Sequence, residues 1–183
     1  MTGKPVSVEI YTESHRILGR LNPGTSGLYS FLNIPTTSAL EIEGAHLSRL
    51  HAPGRLVARY PTIWLAKGEI VCVLLSSRTE MGPTATVRRG YTTPLVQWIH
   101  VLLGGYELRG AVESSGRFNF SGLMFEGHQI FIPFFFGQMQ AILFPSVTAE
   151  SPAMLFNRER VDAIAMLPKE EIPSEFRSPT QPV

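Results

Sequence analysis

Apolar and polar residues alternate along this chain in short bursts with a period of two, the pattern of half-buried strands. Val6, Val8 and Ile10 alternate with Ser7 and Glu9. A second burst, 17–21, closes at the turn signal Asn22-Pro23-Gly24. The segment 28–32 reads as a third strand or, after Ser26, as one short helix. Residues 39–43 alternate cleanly up to Gly44, and 57–65 and 69–75 flank the turn Ala66-Lys67-Gly68. The second half predicts strands over 95–103, 106–113, 117–125, 128–136, 141–144 and 153–166. No long stretch carries the 3.6-residue period of an amphipathic helix.

The pattern repeats. Residues 61–73 align without gaps on 152–164, an offset of 91, with apolar positions on apolar positions and Lys67 on Arg158. At the same offset Val8 and Ile10 fall on Ile99 and Val101, and 18–21 falls on 109–112. Leu40 and Ile42 fall on Ile130 and Ile132 at an offset of 90. The expected fold is mainly β, with two tandem, small barrel-like β domains related by internal duplication and short or no helices. Small barrels bury one strand face and close to hide their edges. The expected boundaries are 1–75 for the first repeat, 76–93 for a Gly- and Pro-containing linker and 94–167 for the second repeat. The proline- and glutamate-rich 168–183 has too little apolar surface to offset its ordering entropy and is expected to be a mobile tail.

Composition narrows the chemistry. Of 15 acidic residues only Asp162 is an aspartate, and it sits inside the apolar run 161–164. No Walker-type loop, G-x-S-x-G elbow or H-E-x-x-H occurs. The chain is therefore expected to be non-enzymatic, with no catalytic residues, no cofactor and no metal. His46 and His51 lack a third ligand at a convincing spacing. Cys72, the single cysteine, lies between Val71 and Val73 and reads as a small buried hydrophobe. No apolar run reaches 18 residues and the N-terminal residues start no apolar leader, so a cytoplasmic location is expected. Residues 1–91 carry a net charge of +4 and residues 92–183 a net −3. Such asymmetry suits an anionic partner for the first half, or attraction between neighbouring copies.

Gly19-Arg20-Leu21, the pair Leu32-Asn33, and Lys67-Gly68 followed by Glu69-Ile70 resemble the two motifs of the Sm-like barrels. The resemblance covers about residues 6–75, with a fainter echo over 97–166. Ser30 stands where that family has an aspartate, Lys67 where arginine is usual, and Arg158-Glu159 replaces the basic-Gly pair in the second half. The resemblance implies a ring-forming protein that binds RNA through Asn33 and Lys67. Arg20, from the basic first half, joins them as a nucleic-acid-binding candidate.

Residues 130–136 are almost continuously apolar, so both faces of that strand require burial. Ile130, Ile132 and Phe134 line one face, matched to the core positions Leu40 and Ile42. Phe131 and Phe135 line the other and are the expected interface residues. The segment has no basic flank, so membrane-surface contact is not indicated. Two functions are expected: an interaction or assembly module using this aromatic strand with another copy or a protein partner, and, as the alternative, an Sm-like RNA-binding protein.

Overall fold

The structure, a computed structural model, describes residues 4–85, 94–114, 116 and 119–176. Strands make up 52% of it and helical turns 16%, which places the chain in the mainly β class. The first half runs β1 (Val6–Tyr11), β2 (His15–Leu21), α1 (Leu28–Leu32), β3 (Ala39–Arg49), β4 (Leu56–Ala66), a 3-10 turn (Lys67–Glu69) and β5 (Cys72–Leu75). The second runs β6 (Leu95–Leu103), β7 (Tyr106–Ser114), α2 (Phe120–Phe125), β8 (Phe131–Ala141), β9 (Thr148–Asn157), a 3-10 turn (Arg158–Arg160) and β10 (Val161–Met166).

One alternative is decided and two expectations change at the level of elements. Residues 28–32 form a helix, because Leu28 and Leu32, four apart on one helical face, are both fully buried. The strand expected over 117–125 is replaced over its described part by α2. The long strand expected over 153–166 breaks in two, where the Asn157 side chain accepts a hydrogen bond from the Glu159 amide and tightens a 3-10 turn.

The ten strands among the described residues form one antiparallel sheet, in the order β10-β6-β7-β8-β9-β5-β1-β2-β3-β4. Each half contributes the same order, last strand first, and the halves join where β9 pairs with β5. The registers repeat too. Val8↔Leu75 and Ile10↔Val73 become Ile99↔Met166 and Val101↔Ile164, 91 residues on. His15↔Arg49 becomes Tyr106↔Ala141, so β8 lies 92 residues after β3. Leu40 therefore corresponds to Ile132 and Ile42 to Phe134, two residues from the alignment expected at an offset of 90. A shift of two keeps every side chain on its own face.

One irregularity is shared by both halves. The β2–β3 ladder slips between Leu18 and Arg20, and the β7–β8 ladder between Arg109 and Ala111. Opposite the slips, Gly44 (φ 59°) and Phe136 (φ 52°) occupy corresponding left-handed positions. An extra residue of this kind flips the alternation. Leu40 and Ile42 thus share a core with Ala45, and Ile132 and Phe134 share one with Met139 and Ala141. The glycines within the slips face the core closely. A Cβ on Gly19 would lie 2.4 Å from Ile42 Cγ2, and one on Gly110 would lie 2.6 Å from Phe134 Cε1. Left-handed backbone costs a non-glycine residue about 1–2 kcal/mol. Phe136 joins a cluster of three rings, its centroid 4.5 Å from Phe176 and 6.2 Å from Trp98, which are themselves 5.2 Å apart.

Among the described residues two large apolar clusters each borrow from the other half, beside a small third one of Trp98, Ala111 and Leu167. The first joins residues of β1–β5 and α1 to Phe131, Phe135, Ala153 and Leu155. The second joins residues of β6–β9 to Tyr11, Val71, Cys72 and Leu74. Along β5 and β9 alternate residues belong to alternate clusters, so the two cores lie on opposite faces of the sheet where the halves meet. The segment after β10 is held by Glu171 to Arg109 at 3.0 Å and by Phe176 against Trp98 and Phe136. The rest of the expected tail, 177–183, and linker residues 86–93 lie outside the described residues.

Gly19→Ala and Gly110→Ala should each force Ile42 or the Phe134 ring out of place. The expected loss is about 1–3 kcal/mol for either variant. It should be read as a lower denaturation midpoint at an unchanged m-value.

Candidate functional site

Of the residues that the sequence marks out, Asn33, Lys67, Phe131 and Phe135 lie at or beside the junction between the halves, and Arg20 lies apart on β2. At the junction β5 lies against β9 with Cys72↔Phe156, Val73↔Leu155, Leu74↔Met154 and Leu75↔Ala153 opposed. Polar groups close its ends. The Asn157 amide N–H donates to Val71 O at 2.9 Å and its side-chain Nδ2 to Ile70 O at 3.0 Å. Ser151 Oγ donates to Leu75 O at 2.7 Å. Buried Tyr106 donates its hydroxyl to Thr12 O at 2.6 Å, and Arg160 reaches Gly68 O, Glu13 and Glu69.

Phe131 and Phe135 lie here, both fully buried and packed in the first cluster. Arg78 stacks on Phe135, its guanidinium carbon 3.9 Å from the ring centroid, and pairs with Glu113. Two rings of the second half are thus packed among residues of the first.

Asn33, at the end of α1, clamps the start of this strand. Its Oδ1 accepts from Ile130 N at 2.8 Å and Phe131 N at 2.9 Å. Its Nδ2 donates to Phe131 O at 3.0 Å and Tyr29 O at 3.1 Å. A carboxamide has two acceptor and two donor positions, and these four bonds use them all. Lys67 sits beside Asn33, with Nζ donating to Ile34 O at 2.8 Å. The side chain is buried, and burial lowers its pKa from the usual lysine value. Arg158, 91 residues on, repeats the contact by donating to Glu126 O, 92 residues on from Ile34, and to Gly127 O. Arg20 is elsewhere: it is exposed on β2, opposite Glu43 of β3. Asn33 and Lys67 therefore share one loop cluster, and no described hydrogen bond ties Arg20 to it.

Burial pushes the Cys72 thiol pKa up, so the group stays protonated and unreactive. Among the described residues no group of three His, Cys, Asp or Glu could hold a metal ion. None of their helices is long and apolar enough to cross a membrane.

The outer strands differ most from their counterparts. β9 is fully buried from Ala153 to Asn157 and β5 along its whole length. Their counterparts β4 and β10 end the sheet and show no buried residue. On β4 Trp64 is 72% exposed, with Tyr60, Val57 and Leu56 also in the open. Met166 is exposed on β10. The sequence held a signal for Trp64. It sits between Ile63 and Leu65, which point into the first core, and it aligns at an offset of 91 with Leu155. The roles of Asn157, Ser151 and Arg78 had no such signal, because each depends on pairing across more than 30 residues.

No family model, curated protein or solved structure matches the chain.

Asn33→Ala would leave the amides of Ile130 and Phe131 without acceptors. The expected cost is on the order of 2–4 kcal/mol, measured by chemical denaturation. Asn33→Asp keeps the acceptors and should recover part of the loss, whereas an unchanged midpoint for Asn33→Ala would show that the clamp is idle.

Proposed function

We propose that this protein is a non-catalytic assembly module, in which the aromatic strand joins the two halves into one unit and the outer strands bind other protein. One observation carries the reading: Trp64 stands 72% exposed on an eleven-residue outer strand whose counterpart in the second half is paired and buried. Proteins usually guard a sheet edge with charge, proline or a covering segment, because its free amides and carbonyls template pairing. On β4 the guards are Arg59 and Pro61, and neither lies in 62–66, where Trp64 stands exposed. Tryptophan and tyrosine are also the residues that most often anchor protein interfaces.

An Sm-like origin by duplication is supported by the shared strand order, the shared registers and the place of Lys67-Gly68 in the turn between the last two strands of its half. RNA binding draws less support from the site. Asn33 has no hydrogen-bonding position left for a base, and the Lys67 ammonium is turned onto Ile34 O.

Light scattering of the purified protein, with and without single-stranded RNA at low and high salt, tests this reading. The expected result is a mass that rises with protein concentration, persists in high salt and needs no RNA. Phosphate-driven binding weakens steeply with salt, and apolar association does not. A monomer under every condition, or assembly only with RNA, would sink the proposal.

A further inference from the structure

We infer that the face of the second half carrying Trp98, Phe136 and Arg109 is a docking site for a short acidic, Phe-bearing peptide segment of another protein, and that the chain's own residues 167–176 fill it as a built-in, displaceable occupant. The site lies on β6, β7 and β8, so the inference stands apart from the assembly reading of the outer strands.

The first half leaves the same face bare. Trp98 and Ala111 correspond to Ser7 and Arg20 at the offset of 91, and Phe136 to Gly44 at the offset of 92. Ser7, Arg20 and Gly44 are all exposed. A half of this chain thus keeps its fold with nothing over this face. In the second half the glycine is replaced by a phenylalanine in left-handed backbone. Strained residues of this kind persist where their surroundings enforce them, and they gather at ligand-binding sites. The Phe136 ring belongs to neither large core and stands partly exposed beside Trp98.

The occupant shows what chemistry fits. Phe176 packs against both rings, 5.2 Å from Trp98 and 4.5 Å from Phe136. Ile172 packs against the small cluster of Trp98, Ala111 and Leu167, and Glu171 pairs with Arg109 at 3.0 Å. The pattern is a carboxylate, an aliphatic residue directly after it and a phenyl ring four residues further on. Large aromatic side chains seated in such clusters are the usual anchors of protein contacts.

The hold on the occupant is light. Of the described backbone hydrogen bonds donated by 167–176, that of Leu167 reaches the sheet at Trp98 O, and those of Glu171, Ile172 and Phe176 close turns within the segment. Both partners of the Glu171–Arg109 pair are about half exposed, where solvent screens the attraction. Phe176 itself is 39% exposed. The apolar face also runs on past the segment. Val96, two residues before Trp98 and on the same face of β6, is 51% exposed. A partner segment that makes the same three anchors and extends over Val96 buries more apolar surface than the one it displaces.

Trp98 fluorescence reads the site. The chain has two tryptophans, so Trp64→Phe leaves Trp98 alone, and all variants carry that change. Ile172→Ser with Phe176→Ser should shift the Trp98 emission to the red, while the far-ultraviolet circular dichroism keeps its strand signal. A labelled synthetic peptide of residues 168–176 should bind this double variant and reverse the shift. It should do so at a concentration about tenfold or more below that needed with the intact segment, which competes from within the chain at a high effective concentration. A peptide that keeps Glu171, Ile172 and Phe176 with serine elsewhere should also bind, and the peptide carrying Phe176→Ser should not. Absence of peptide binding or an unshifted Trp98 emission overturns the inference. Loss of the strand signal in the double variant overturns it too, because the segment is then part of the fold. A dimer of the unaltered protein that Phe176→Ser dissolves would make the segment of a second copy the occupant, and overturns the assignment to another protein.

Discussion

Everything else in this molecule depends on the pairing of β9 with β5. These two strands are covered on both faces, and that double burial requires the continuous apolar runs seen at 71–75 and 153–156. A strand with one wet face alternates; these do not. Each strand sends alternate side chains into two cores on opposite sides of the sheet, so neither core is complete without both halves. The hydrogen bonds of Asn157 and Ser151 then fix the register of an apolar contact that could otherwise slide by two residues without turning any side chain to water.

A second constraint acts within each half. The strands must bend sharply to cover their core, and the bend is placed by one extra residue, Gly44 in the first half and Phe136 in the second. Gly19 and Gly110 make room for the side chain that the bend presses inward. The two solutions diverge at the bend itself. The first half uses a residue that adopts left-handed backbone freely, and the second uses a phenylalanine whose contacts with Trp98 and Phe176 offset its strain.

Much of this architecture was legible in the sequence, because strand alternation is a local signal. The faces of the strand from Phe131 to Phe135 follow from period-two counting alone, and so does the outward direction of Trp64. The two helices were harder to see. Each has five or six residues, fewer than two turns, which leaves almost no periodicity to detect. The offset of 90 for Leu40 and Ile42 failed because the offset rises from 91 at β7 to 92 at β8, one residue being added between them, and apolar residues on one face look alike at steps of two. At the candidate site, Asn33 and Lys67 were singled out by the Sm-like resemblance, and the fold brings their two separate turns together through Ile34. What Asn33 bonds to could not be read, since its partners at Ile130 and Phe131 lie almost a hundred residues away.

The shared cores also bear on how the chain reaches its fold. β5 is made early in synthesis, yet the strand that completes its pairing, β9, follows about eighty residues later. Contacts of such long sequence separation close slowly, because loop entropy must be overcome before the contact is gained. Until β9 emerges, the first half displays an open apolar face at Val73 and Leu75 beside the free amides of β5. That half-made chain has the features of an aggregation-prone intermediate. The strand that later shields it comes from the same polypeptide, so its effective concentration does not depend on how many copies the cell contains.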